Sequence, residues 1–211
     1  MLHNSRETAF VWQRVADSLP QLWAVIAPNL HFSEKIIKGN QSKVANPSEL
    51  ISEIIAQDMM ALNISEPVVV IASGDAAIVA IHYYRTHPQQ VKAIMLTEPQ
   101  LHVTATQQWL RKIKANFSGV KKKATQANTT QEIEYLTALT RLGKQTLADI
   151  NVPMRILVAE KERGIMREIK NELQNMKNIE YFPIAGATRG WNEYAPAQYA
   201  ANIIEFCAVL P

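Results

Sequence analysis

Five short runs of apolar residues, each of strand length, are spaced along the chain at Trp23 to Ala27, Pro67 to Ala72, Val91 to Thr97, Met154 to Ala159 and Ile179 to Ile184. They are rich in Val and Ile and lack period-two polarity, the pattern of strands covered on both faces. Between them the apolar positions recur at helical spacing. This predicts helices over Thr8 to Leu19, Pro47 to Leu62, Ala76 to Arg85, two or more pieces between Ala105 and Leu147, Ile165 to Met176, and Ala197 to Val209. The second of these has the clearest start: Asn46 can cap, Pro47 suits the first helical position, and Glu49 falls in the first turn. Strands alternating with helices predict an α/β fold, a three-layer sandwich around a mainly parallel sheet of about five strands. Right-handed crossovers would join the strands, and ligands would sit at their carboxyl ends.

Length and composition narrow the picture. With 211 residues, 47% of them hydrophobic, the chain can build one sizeable core and is expected to be a single domain over 1–211. Its net charge of +3 is too small to imply nucleic acid as a partner. The lone Cys207 cannot form an internal disulfide, and no run approaches the ~18 apolar residues of a membrane span. Met1 leads into His3, Asn4, Ser5, Arg6 and Glu7 without the basic start and apolar core of a signal peptide, so a reducing cytoplasm is expected. No repeat or low-complexity tract is present. His31, His82 and His87 lack metal-ligand spacing with a second histidine or cysteine, so neither a metal nor another cofactor is expected.

The stretch Pro67 to Pro99 reads PVVVIASGDAAIVAIHYYRTHPQQVKAIMLTEP. It resembles the α/β-hydrolase fold superfamily, in which a buried strand ends in small-x-nucleophile-x-small, turns sharply into a helix and is followed by a His-Pro-x-x-Val segment and the next strand. Ala72, Ser73, Gly74, Asp75 and Ala76 supply the elbow, and His87, Pro88 and Val91 match the segment behind it. Further on, Asn151-Val152-Pro153, Ala159-Glu160-Lys161-Glu162 and Gly186-Ala187-Thr188-Arg189 ahead of Pro196 also resemble the family, as do Trp12, Val15, Leu19 and Ile26 to Leu30 upstream. The resemblance covers nearly the whole chain. It places residues 101–150 as a small helical cap insertion. Members of the family normally set two antiparallel strands and most of a third ahead of a His-Gly oxyanion loop; here only Met1 and Leu2 precede His3-Asn4, the counterpart of that loop.

Register then assigns the catalytic positions. Gly74 stands seven residues after Pro67 and fourteen before Pro88, where the family's nucleophile usually stands. Glycine meets a positive φ without strain but has no atom with which to form an acyl-enzyme. The family's histidine, seven residues before a proline, is replaced by Arg189, which stays protonated and cannot serve as a base near neutral pH. Glu162 occupies the acid position. The resemblance therefore implies a degenerate triad of Gly74, Glu162 and Arg189, with no catalytic residue assigned.

Displaced candidates stand nearby. Reading the elbow one residue later makes Asp75 a nucleophile, in the manner of haloalkane dehalogenases; Ser73 supplies a hydroxyl; and Glu98 with His102 follow the third apolar run as a substitute base pair. Arg189 and Glu162 would either brace two loops as an ion pair or, with the elbow amides, form an anion pocket from Gly74, Asp75, Arg189, His3 and Asn4. In the cap, Arg111, Lys112, Lys114 and Lys121 to Lys123 surround Trp109 and Phe117, a basic amphipathic pattern suited to an acidic partner or to solvent. Two readings follow: a noncatalytic homologue that binds a small molecule or a protein partner, or a small-molecule hydrolase or lyase with a displaced site.

Overall fold

A computed structural model describes residues 1–4, 7–30, 47–100, 150–162 and 179–211. Four strands, β1 (Val68–Ser73), β2 (Val91–Thr97), β3 (Met154–Ala159) and β4 (Ile179–Ile184), form one sheet in the order β1-β2-β3-β4, with every neighbouring pair parallel. A 3-10 turn (Ala9–Trp12) leads into α1 (Gln13–Ala16); α2 (Pro47–Ala61) precedes β1 and α3 (Ala76–Thr86) follows it; α4 (Trp191–Tyr194) and α5 (Pro196–Ala208) close the chain. Asn46, the expected cap of α2, lies outside the described residues, as do His31, the predicted helix Ile165 to Met176, and residues 101–149 of the expected cap.

Alternation along the strands explains the three layers. On β2, Ile94 and Leu96 face a cluster with Ile51, Ile55 and Met59 of α2 and Ile78, Ile81 and Tyr84 of α3, while Ala93 and Met95 face Trp12 of the 3-10 turn, Val15 of α1, and Tyr199, Ile203 and Phe206 of α5. Both faces are thus apolar, which is why the strand reads as an unbroken apolar run. On the second face Tyr199 is packed edge-on against Trp12, with centroids 5.5 Å apart, and tilted against Trp191 at 4.6 Å. Its hydroxyl is hydrogen-bonded to Thr97 Oγ1 at the carboxyl end of β2, so the polar tip of a fully buried ring has a partner. Burial raises the Tyr199 hydroxyl's pKa far above its ordinary value, which keeps it neutral.

Three expectations need correction. Trp23 to Ala27 is not a strand. A strand is held by its neighbour's ladder, and along this segment the described hydrogen bonds are Trp23 N donating to Pro20 O at 2.9 Å, within a turn, and the Met1 α-amino group donating to Ile26 O. The place beside β1 is taken by Leu2, which donates to Ile71 O at 2.7 Å and accepts from Ser73 N at 3.1 Å, a single parallel bridge to Ala72. Second, the helix expected over Thr8 to Leu19 is split into the 3-10 turn and α1, then ends in turns closed by Ser18 N to Val15 O and Leu19 N to Ala16 O. Third, β4 is not buried on both faces: Glu180, Phe182 and Pro183 are exposed, as befits an edge strand, where a proline without N–H is tolerated. Among the described residues no helix is long and apolar enough to cross a membrane.

Among the described residues, Arg155 is the one charged residue buried in a strand. Its guanidinium donates through Nε and Nη2 to Glu180 Oε2, at 3.1 and 2.9 Å, reaches Glu205 Oε1 at 3.6 Å, and lies 4.7 and 5.1 Å from the ring centroids of Phe182 and Phe206. Both glutamates are largely exposed, so losing the guanidinium returns them to water and strands no charge. Arg155→Met is expected to stay within about 1 kcal/mol of the wild type in urea unfolding, whereas Arg155→Ala should cost about 2–3 kcal/mol because it empties the space between the rings. Equal losses for the two variants would show that charge, not packing, is what Arg155 contributes.

Candidate functional site

The carboxyl ends of β1 and β2 meet at one turn. β1 ends at Ser73, Gly74 takes φ +58° and α3 begins at Ala76, so the strand reverses into the helix within two residues. Ala76 and Ala77 are fully buried, and their small size lets helix and strand approach closely. The Gly74 N–H donates to Thr97 O at 2.9 Å, while its carbonyl accepts from Ala77 N at 3.4 Å and Gln100 N at 3.0 Å. A Cβ on Gly74 would stand 2.7 Å from Asn4 Nδ2. The side chain of Asn4 therefore fills the space into which any side chain at position 74 would grow.

His3, beside it, is buried and satisfied. Leu30 N donates to its Nε2 at 2.9 Å, which leaves the ring proton on Nδ1 to donate to Asn4 O at 2.8 Å. A ring spent on two backbone contacts holds the loop rather than a ligand. Asn4 N donates to the Glu7 carboxylate at 3.2 Å. Burial first, then the charges of Glu193 and Asp75, push the Glu7 carboxyl above its usual range, and the hydrogen bond from Asn4 opposes them. Asp75 is itself buried, at the N-cap position of α3.

Glu98 follows β2 and is a strongly perturbed carboxyl at this edge. It adopts φ +48°, a conformation that costs a non-glycine residue of order 1–3 kcal/mol. Its side chain is only 6% exposed, with Oε2 3.6 Å from Arg189 Nε and Oε1 buried without a hydrogen-bond partner among the described residues. Burial pushes its carboxyl up to about 7; Arg189 and the Gly190 N–H pull the other way, and Glu162 and Glu7 add repulsion. Arg189, half exposed, also reaches Glu162 Oε2 at 3.9 Å. The expected approach of Arg189 to Glu162 is thus present, but as the longer of two contacts.

The structure brings Gly74, Asp75, Asn4, Glu98, Arg189 and Glu162 to one edge with His3 beneath them; His102 lies outside the described residues. Sequence reasoning did not single out Glu7, Glu193 or Tyr199. Asn4-x-x-Glu7 has the spacing of a capping box and was the available signal for Glu7. Glu193, one turn after Gly190, carries no such mark.

No family model matches the chain, nor does any curated protein sequence. Solved structures do. A thermophilic esterase from Thermogutta terrifontis superposes with a TM-score of 0.72 at 15% identity, over 98% of this chain and 88% of the esterase. A hydrolase from Oleispira antarctica gives 0.69 at 12% identity, over 99% and 89%. A loop variant of the haloalkane dehalogenase from Bradyrhizobium elkanii gives 0.65 at 13% identity, over 98% and 87%. The chain has the α/β-hydrolase fold. At such identities the likeness extends to the scaffold and not to its chemistry.

Two outcomes test this geometry. Gly74→Ala should cost about 1–2 kcal/mol from the positive φ and the close approach of Asn4, and an Asn4→Ala background should remove part of that penalty. Additive effects in the double-mutant cycle would mean that Asn4 gives way freely. For Glu98, a folded pKa of about 7 against an ordinary 4.5 means that the unfolded chain releases its proton first as pH rises. Glu98 favours folding fully below pH ~4.5, and that contribution is lost as pH climbs to ~7. Relative to Glu98→Gln, the wild type should lose up to about 3 kcal/mol between those limits. Parallel stability curves for the two proteins would refute a raised Glu98 pKa.

Proposed function

We propose that this protein is a noncatalytic α/β-hydrolase homologue that binds a small molecule or a protein partner at the carboxyl edge of its sheet. One observation carries this reading: Gly74 stands in the turn where a nucleophile would project, and Asn4 Nδ2 occupies the space such a side chain would need. The arginine at the family's base position supports it, since Arg189 lies within 3.6 Å of Glu98 and 3.9 Å of Glu162 and offers no lone pair to a hydroxyl. The same contacts argue against an anion pocket. Carboxylates of Glu98 and Glu162 approach the guanidinium of Arg189, and Glu7 and Asp75 add negative charge to the same edge, so a ligand bearing hydroxyls, amides or a positive charge suits this edge better than a phosphate or carboxylate.

A second reading rests on Glu98. A buried carboxyl titrating at about 7 has the affinity of a general base at neutral pH, as a displaced hydrolase or lyase site with Ser73 or Asp75 would need. p-Nitrophenyl acetate and a panel of esters and thioesters separate the two. The wild type, Gly74→Ser alone and Arg189→His alone should show no turnover above buffer. The Gly74→Ser/Arg189→His double variant, which regains nucleophile and base with Glu162 to orient the histidine, should show low but measurable turnover. Wild-type turnover that rises with a midpoint near pH 7 and disappears in Glu98→Gln, Ser73→Ala or Asp75→Ala would replace the first reading by the second.

A further inference from the structure

Negative charge outweighs positive charge at the carboxyl edge, although the chain as a whole carries +3. The charges that act on Glu98 are one cation, Arg189, and two further carboxylates, Glu162 and Glu7. Glu7 in turn meets the charges of Glu193 and Asp75. The Arg14 guanidinium of α1 donates to Glu193 O at 3.1 Å, a carbonyl and not a carboxylate. Surplus charge on an open surface is ordinarily met by water and salt. Glu98 is placed differently. Its side chain is 6% exposed, and its Oε1 is buried without a hydrogen-bond partner among the described residues. Arg189 Nε stands 3.6 Å from the other oxygen, Oε2, close enough to screen the charge but too far for a hydrogen bond.

An ionised carboxylate oxygen accepts hydrogen bonds and gives none, so the group that completes Oε1 is a donor, and the surrounding carboxylates select a donor that is also a cation. A compact ammonium with three N–H groups suits one buried oxygen better than a second planar guanidinium beside Arg189. We propose that the carboxyl edge binds the primary ammonium group of a small molecule, with Glu98 Oε1 accepting from it and Glu162 adding charge at the solvent side. The proposal rests on the reading of this edge as a binding site and narrows its ligand to one class. It carries a proton signature. Burial raises the Glu98 carboxyl to about 7, against Arg189 and the Gly190 N–H and with the help of Glu162 and Glu7. An ammonium needs the ionised form, so binding below that pH expels a proton and affinity rises as pH climbs through it, while an aliphatic ammonium itself stays charged throughout.

The test is calorimetric titration of the full chain with butylammonium at about pH 8 and about pH 6. A dissociation constant of about 1 mM at the higher pH, weakened roughly tenfold at the lower, is expected. Glu98→Gln keeps the shape of the side chain and removes its charge, so it should weaken binding at the higher pH roughly tenfold or more and flatten the pH dependence. Glu162→Gln, a change at a side chain that solvent reaches, should weaken binding by a few fold and leave the pH dependence in place. Butyltrimethylammonium, which has the charge without N–H, and butanol, which has a donor without the charge, should each bind roughly tenfold more weakly or worse. No butylammonium binding at about 10 mM, a pH dependence unchanged in Glu98→Gln, or equal binding of butyltrimethylammonium would each overturn the proposal. So would much tighter binding of Nα-acetyllysine methylamide, which presents the ammonium as a partner protein would carry it. The ester panel reads separately: wild-type turnover would displace the noncatalytic reading, whereas absence of both turnover and ammonium binding would remove this inference alone.

Discussion

The backbone of Gly74 ties the carboxyl edge of the sheet together. Its N–H holds the end of β2 through Thr97 O, and its carbonyl receives Gln100 N, so the loop that leaves β2 is folded back over the turn that leaves β1. Glu98 N is fixed in turn to Leu157 O on β3. The residue between these anchors has little freedom, and its positive φ follows from being over-determined on both sides. The carboxylate of Glu98 is thereby held under Arg189 in a site that water does not reach well. The electrostatics of the edge descend from that one turn, since without the fold-back Glu98 would sit on an exposed loop with an ordinary pKa.

Much of the fold was legible because the physics that buries a strand on both faces leaves a uniform mark. β1, β2 and β3 are covered by helices on either side, and their apolar runs match the observed strands to within a residue at each end. Trp23 to Ala27 carries the same mark without being a strand. Apolarity records burial, whereas strand identity needs a hydrogen-bonding neighbour, and that neighbour is not written into the segment. In β4 the exposed Glu180 and Phe182 mark an edge strand that its apolar ends disguised.

The backbone positions of the candidate residues were legible by register, and their energetics were not. Gly74 and Arg189 could be placed by counting from Pro67 and Pro196, because turns and helix starts fix backbone positions. That Glu98 takes the nearer contact with Arg189, ahead of Glu162, depends on how far each loop leans in, which neither spacing nor composition encodes. The same holds for Glu7, whose raised pKa arises from burial and from Glu193 and Asp75, residues remote in sequence. His3 looked like a ligand-loop residue because of its position, yet its two ring nitrogens are both committed to backbone.

The turn at Gly74 is fixed by demands on the backbone alone. The demands on position 74 are a left-handed φ, close packing of Ala76 and Ala77 against the strand, and hydrogen bonds made only by backbone atoms. None needs a side chain. A nucleophile in such a turn holds a strained conformation that a glycine holds freely, so the glycine relaxes the scaffold where a reactive residue would tension it. In this chain strain remains at Glu98, one strand over, where a non-glycine residue sits at φ +48° with one carboxylate oxygen buried and unpaired among the described residues. Strain and an unsatisfied buried acceptor are both costs, and they coincide on one side chain at the carboxyl edge.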